Sequence, residues 1–261
     1  MRTLAASPMD SVLHISSLIV ALILMTNQVH GQMDKVEQKN LSYHVVGVIG
    51  NKEQVGGTGF FIKKGTAFYL VSAWHLFSFK NHLTQKFNSE NSHLIKEIVV
   101  YRNLIDIKTN KYSRVDLVSS VTQQPTYLSI YKNDTLLLDI SAIPVVRQSS
   151  FEFDYYDVDS IDPKVKTSIN DDAFYYGFPI KNGRQSDSVE YFEGKVSEVD
   201  LERGELTADI VGYTGCSGAP LFLSAGQSKY LWGVLFYALK DNTGRAERCK
   251  AVDLRSLIER L

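Results

Sequence analysis

The sequence is poor in cysteine and proline, and this limits the kinds of site it can build. Of 261 residues, two are cysteine and six are proline. The two cysteines, Cys216 and Cys249, match no zinc-ligand spacing, and a metal site would need more ligands than this pair supplies. We therefore expect no metal and no cofactor. In an oxidising compartment the pair could form a disulfide, which the sequence does not decide.

An excess of charge of one sign is also missing. The chain has 28 Lys and Arg residues against 29 Asp and Glu residues, for a net charge of −1. Proteins that hold nucleic acid or an anionic membrane surface carry a basic field, so we expect neither partner. The sequence does not indicate an oligomeric state.

Long apolar runs are scarce, and the main one lies near the N-terminus at residues 11–25. It is short for a membrane-spanning helix, which needs about 20 apolar residues. With Val29-His30-Gly31 after it, the pattern predicts a secretory signal at residues 1–31. We expect export to the periplasm or medium, with no stable membrane insertion after cleavage. An uncleaved anchor, or a true start at Met9, is the alternative.

Short apolar or alternating runs separated by turn residues fill the rest of the chain. Strands are predicted at 43–50, 58–62, 67–72, 98–102, 128–131, 173–176, 191–199, 205–211, 221–223 and 230–239. Many short strands with little helical periodicity favour an antiparallel barrel or sandwich. Only the tail at 253–261 shows helical spacing, with Asp253 as its cap. The acidic stretch at 152–162 would connect two halves.

Three segments carry residues with catalytic chemistry. The first ends in Val71-Ser72-Ala73-Trp74-His75, the second is the apolar run around Asp139, and the third is Thr214-Gly215-Cys216-Ser217-Gly218-Ala219-Pro220. A serine hydroxyl needs an adjacent base and a place for the oxyanion. Glycines beside Ser217 let the chain turn tightly, so that the amides of Gly215 and Ser217 point into one small space.

His75 and Asp139 complete this set. A carboxylate inside an apolar run is costly to bury unless it is paired, and an imidazole N–H is a suitable partner. Such a pair fixes the tautomer of the base and stabilises the imidazolium. Each residue alone has a structural explanation: a turn glycine motif, a core histidine, a solvent-facing aspartate. Their order along the chain favours a triad.

These segments resemble the trypsin-like (chymotrypsin-fold) serine peptidases, in particular the compact bacterial type. The matching stretches are GTGFFI with VSAWH, LLLDISAIPV, DDAFYYGFP, TGCSGAPLF, YLWGVLFYA and CKAVDLRSLIERL. The resemblance implies an all-β fold of two antiparallel six-stranded β-barrels with a short C-terminal helix. The peptidase domain would be 32–261, with the first barrel at about 41–150, the second at about 163–250 and the helix at 253–261.

The resemblance also implies an activity and its residues. His75 would be the general base, Asp139 would orient it, and Ser217 would attack a peptide bond of a protein or peptide substrate. The oxyanion would lie at the amides of Gly215 and Ser217. The substrate pocket would be lined by Val211, Phe236, Tyr237 and Ala238.

Three positions depart from the family pattern. Ala219 replaces the second glycine of the G-G-P motif. Cys216 stands where digestive trypsins carry the aspartate that pairs with a newly cut N-terminus, so that activation step is absent. Val211 stands at the pocket base in place of an acid, which predicts cleavage after an apolar or small residue.

Two other functions are compatible with parts of this pattern. One is a catalytically inactive trypsin-fold module that binds peptides in the cleft; the presence of all three triad residues argues against it. The other makes Cys216 the nucleophile, and the glycine register argues against this because Ser217 is the residue directly before the turn glycine Gly218.

Overall fold

A computed structural model describes residues 38–261, apart from 50–51, 82, 88–89, 133–135, 148–150, 162–165, 226–227 and 239–244. The predicted signal at residues 1–31 lies outside the described residues. No helix in the described ranges is long and apolar enough to cross a membrane.

The first half of the chain forms one curled antiparallel sheet. The strands of this half are β1 (Tyr43–Ile49), β2 (Lys52–Lys64), β3 (Ala67–Ser72), β4 (Glu97–Tyr101), β5 (Ser113–Asp116), β6 (Tyr131–Lys132), β7 (Leu136–Leu137), β8 (Ser141–Val145) and β9 (Tyr155–Asp157). Strands β6 and β7 pair with each other outside this sheet. The order across the sheet is β5-β4-β1-β2-β3-β8, and β9 pairs with β2 in parallel. Two short helices interrupt it, α1 (Trp74–Ser78) and α2 (Leu104–Lys108).

The second half forms a closed barrel in the order β10-β13-β14-β19-β17-β16. Its strands are β10 (Asp172–Gly177), β11 (Ile180–Lys181), β12 (Arg184–Gln185), β13 (Glu190–Asp200), β14 (Glu205–Asp209), β15 (Gly212–Tyr213), β16 (Pro220–Ala225), β17 (Ser228–Ala238), β18 (Arg245–Ala246) and β19 (Cys249–Asp253). The chain ends in helix α3 (Arg255–Ile258). The pairs β11-β12 and β15-β18 stand outside the barrel wall.

The prediction of an all-β chain in two halves is confirmed, and the second half has the six-stranded barrel that was expected. The first half is an open sheet of seven strands, because β5 and β8 do not pair. Irregular chain spans this gap, with Leu117 N donating to Lys96 O and Leu128 N to Ala142 O. The strand predicted at 128–131 is therefore reduced to β6, which begins at Tyr131.

Two further boundaries differ from the sequence prediction. Asp253 still pairs with Gly233 in the barrel, so helix α3 occupies Arg255–Ile258 and not the whole of 253–261. The acidic stretch predicted as a connection supplies β9, which extends the first sheet alongside β2. Backbone hydrogen bonds between strands set both boundaries, and the spacing of apolar side chains along the sequence does not reveal these hydrogen bonds.

The largest hydrophobic cluster lies between the two halves. Phe60, Ile62 and Val71 of the first sheet pack there with Phe174, Tyr176 and Phe222 of the barrel. One further cluster fills the barrel interior, and another packs against the first sheet. The halves therefore share a core, which fixes the position of one relative to the other.

His44 is buried where β1 meets the second half. Its ring stacks on Tyr101 with centroids 4.9 Å apart and lies 4.1 Å from Phe178. Nδ1 has no hydrogen-bond partner among the described residues. Burial lowers the pKa of His44 to about 4, against a hydrogen bond to the Ser186 backbone that raises it. The folded protein therefore holds this side chain neutral.

This burial predicts acid sensitivity. Because the folded-state pKa of His44 is below that of the unfolded chain, the unfolded chain binds more protons between pH 6.5 and 4, and stability falls as the pH falls. The variant His44→Phe should lose less stability over this range, by about 3 kcal/mol at most. Urea unfolding of both proteins at several pH values measures how the free energy of unfolding depends on pH. If the unfolding free energies of the wild type and of His44→Phe differed by the same amount at pH 4.5 and at pH 7.5, the low pKa of His44 would be contradicted.

Candidate active site

His75 and Asp139 are brought together at the end of the first sheet. His75 lies in helix α1 directly after β3, and Asp139 lies just before β8, the strand that pairs with β3. The His75 Nδ1 atom is 2.8 Å from Asp139 Oδ2, and the His75 backbone N–H donates to Oδ1 at 2.9 Å. The side chain of Asp139 is 1% exposed and that of His75 is 20% exposed.

This arrangement assigns the imidazole tautomer. A buried carboxylate that accepts from both N–H groups places the ring proton on Nδ1. Nε2 is then the ring nitrogen with a free lone pair, which is what a general base needs. The aspartate predicted to orient the histidine does contact it.

The loop that carries Ser217 is a tight turn between β15 and β16. Gly215 and Gly218 have φ angles of 89° and 87°, which only glycine adopts readily. A Cβ at Gly218 would also lie 1.9 Å from Thr58 O. The G-x-S-G pattern therefore has a physical basis here, since neither glycine can be replaced without moving the loop.

The same loop docks on the first half beside His75. Thr58 N on β2 donates to Ser217 O at 2.8 Å. A Cβ placed on the adjacent Gly57 would lie 2.8 Å from Ser217 O and 2.3 Å from Leu76 Cδ1. Leu76 follows His75 in helix α1, so the backbone of Ser217 lies next to the turn that holds the base.

The two amides predicted for the oxyanion are available. Among the described residues, neither Gly215 N–H nor Ser217 N–H has a hydrogen-bond acceptor, whereas Cys216 N–H donates to Tyr213 O. Two free backbone donors on alternate residues of one turn can stabilise an oxyanion.

Cys216 lies on the other side of the loop. Its side chain is fully buried in the barrel core with Tyr175 and Leu221. Burial raises the pKa of the Cys216 thiol to about 12, with a hydrogen bond to Tyr175 opposing the shift. A neutral, enclosed thiol is a poor nucleophile. Cys216 and Cys249 are both free thiols in this structure.

The residues predicted for the substrate pocket lie on β17 and just before β15. Phe236 is 7% exposed and packs in the core between the halves, and Val211 O accepts from the Tyr175 hydroxyl. The backbone of Tyr237 continues β17. Ala238 Cβ lies 3.0 Å from the place where a Cβ on Gly212 would stand, and Cys249 Sγ lies 2.4 Å from it. Gly212 is therefore packed closely against Cys249 and the end of β17.

Two hydroxyls contribute to the site without having been predicted. Thr58 Oγ1 donates to Gly215 O at 2.9 Å, and Ser72 Oγ donates to Thr58 O at 2.6 Å. Thr58 stands in the motif GTGFFI and Ser72 in VSAWH, and the partner of Thr58 lies 157 residues away along the chain. Within the described part of the chain, no group of three His, Cys, Asp or Glu residues could hold a metal ion.

Comparison with known proteins rests on structure alone. No family model matches the sequence, and no curated protein matches it. Human heparin binding protein is similar in structure, with a TM-score of 0.54 at 13% identity over 88% of this chain and 95% of that one. A serine endoprotease from Yersinia pestis has a TM-score of 0.51 at 15% identity, over 85% of this chain and 61% of that one.

A thermostable serine protease from an extremophilic microorganism is similar too. Its TM-score is 0.54 at 9% identity, over 85% of this chain and 94% of the other. Identities this low establish the fold and leave the activity to be argued from the site. In its fold, this chain is trypsin-like.

Proposed function

We propose that the chain is a serine endopeptidase that uses His75, Asp139 and Ser217. The main support for this proposal is the buried carboxylate of Asp139, which accepts hydrogen bonds from both the backbone and the ring of His75. The docking of the Ser217 turn beside helix α1 supports the same assignment. Two similar solved structures are named as serine proteases.

In the proposed reaction, Ser217 Oγ attacks the carbonyl carbon of a peptide bond while His75 Nε2 takes the hydroxyl proton. The amides of Gly215 and Ser217 stabilise the oxyanion of the tetrahedral intermediate. The C–N bond then breaks, the leaving amine takes the proton from His75, and an ester to Ser217 remains. Water, activated by His75, hydrolyses this ester. Asp139 holds the imidazole and stabilises its charged form throughout.

The proposed setting is extracytoplasmic, because residues 1–31 have the pattern of a secretory signal. The proposed substrates are proteins or peptides with an apolar or small residue before the cleaved bond. Val211, at the predicted base of the substrate pocket, offers no charge to a basic side chain.

Labelling and cleavage test the proposal together. The purified protein should react with a fluorophosphonate probe, and the variant Cys216→Ala should react as well. A peptide library should be cut after apolar or small residues about 10-fold faster, or more, than after Lys or Arg, because a pocket without an acid leaves a buried basic side chain unpaired. A wild-type protein that neither reacts nor cleaves any peptide would favour the peptide-binding module.

A further inference from the structure

The oxyanion turn consists of three consecutive peptide units, and the carbonyl of each accepts one hydrogen bond. The donors are Ile180 N to Thr214 O (2.7 Å), Thr58 Oγ1 to Gly215 O (2.9 Å) and Ala219 N to Cys216 O (3.1 Å). Two of these donors are backbone amides. The central donor is a side chain, so the restraint on the central carbonyl depends on the identity of one residue, while the N–H of the same peptide, that of Cys216, donates to Tyr213 O.

The central peptide joins the two units whose amides would stabilise the oxyanion. In a planar trans peptide the N–H points opposite to the C=O. Holding Thr214 O and Cys216 O therefore directs the N–H groups of Gly215 and Ser217 to the other side. The central peptide shares the α-carbons of Gly215 and Cys216 with these two units, so a displacement of this peptide that shifts those α-carbons changes the spacing of the two N–H groups.

The Thr58 hydroxyl has a defined polarity. Its oxygen accepts from Phe178 N at 3.1 Å, so its single proton is left to donate to Gly215 O. Thr58 itself is fully buried, and its backbone is held on both sides, by Ser217 O and by Ser72 Oγ. This side chain has little freedom to move away from the turn.

No charged side chain stands inside the turn. The residue before the nucleophile is Cys216, whose thiol is buried among apolar side chains of the barrel. The burial of this thiol keeps it neutral, since its pKa is raised to about 12. The central peptide is therefore held by two hydrogen bonds, at its carbonyl by the Thr58 hydroxyl and at its N–H by Tyr213 O.

We propose that Thr58 is a positioning residue for the oxyanion hole. Its hydroxyl fixes the peptide between Gly215 and Cys216 and thereby aligns the amides of Gly215 and Ser217. Thr58 touches no substrate and acts through these amides. This inference rests on the proposed serine peptidase function and adds to it the element that keeps the turn in its active shape.

The test compares Thr58→Val, which keeps the shape and removes the hydroxyl, with Thr58→Ser, which keeps the hydroxyl. Thr58→Val should lower kcat by about 10- to 100-fold with KM changed less than threefold, because misplaced donors weaken the transition state and not substrate binding. The inhibition constant of a peptide boronic acid, which forms a tetrahedral adduct with the serine, should rise by a similar factor. Thr58→Ser should keep kcat within about threefold.

Ser42→Ala is the matched control. Ser42 is fully buried, and its hydroxyl donates to Tyr176 O across the same two halves at 2.9 Å, away from the turn. It should lose stability without losing kcat or boronic acid affinity. Unchanged kcat in Thr58→Val would overturn the inference, as would equal losses in Thr58→Val and Thr58→Ser. A wild-type protein without any peptidase activity would overturn the proposed function and this inference with it.

Discussion

Replacing Ser217 with alanine is expected to lower kcat/KM by about 10⁴- to 10⁶-fold and to abolish fluorophosphonate labelling. The reason is that no other hydroxyl stands in the turn between Gly215 and Gly218, and the acyl-enzyme cannot form without the Ser217 oxygen. Losses of this size are typical when a triad serine is removed, and the residual rate comes from the oxyanion hole and from binding. Initial rates on the best library peptide measure the effect.

The neighbouring variant Cys216→Ala is the control for Ser217→Ala. It removes a buried thiol of the same turn and should change kcat/KM by less than about tenfold, since packing losses at this site act on stability first. Labelling that survives in Ser217→Ala, or that disappears only in Cys216→Ala, would show that the nucleophile has been assigned to the wrong residue.

The second large effect is expected at Asp139. Changing it to asparagine should lower kcat by about 10⁴-fold, as loss of the triad carboxylate does in serine peptidases. The two oxygens of Asp139 each accept an N–H of His75, one from the backbone and one from the ring. An asparagine has one oxygen and one NH2 group, so it can accept only one of them. The amide then favours the other imidazole tautomer, which leaves Nε2 protonated and unable to take the serine proton.

Asp106→Asn is a suitable control for the Asp139 variant. Asp106 also accepts backbone N–H groups through its carboxylate, from Arg102 and Asn103, but it lies in helix α2 on the first sheet. Its replacement should affect stability alone, by about 1 kcal/mol. Steady-state kinetics measures kcat of both variants, and thermal unfolding measures their stability. An Asp139→Asn protein that folds normally and keeps kcat within tenfold would contradict the triad assignment.

The strand content and the pairing of His75 with Asp139 could both be predicted from the sequence, for different reasons. Runs such as 67–72 and 173–176 combine apolar side chains with turn residues at both ends, and this pattern is local. The burial of Asp139 could be inferred because it stands in LLLDISAIPV, where an unpaired carboxylate would be costly. The structure places that carboxylate against His75.

The open first sheet and the short final helix could not be predicted from the sequence. Whether β5 pairs with β8 depends on the path of the intervening chain, which has no periodic pattern of its own. The tail keeps helical spacing from Asp253, yet Asp253 remains in the barrel because its backbone pairs with Gly233. Long-range backbone hydrogen bonds override local propensity in both places.

By itself the sequence determined the chemistry that the chain can offer: Ser217 between glycines, His75 at a strand end and Asp139 in an apolar run. Residue type and spacing are enough for this, because nucleophile, base and buried acid are properties of single side chains. Only the tertiary structure decided what holds the turn around Ser217. The partners of Thr58 lie 120 and 157 residues away along the chain, at Phe178 and Gly215, and no local pattern encodes a contact at that separation.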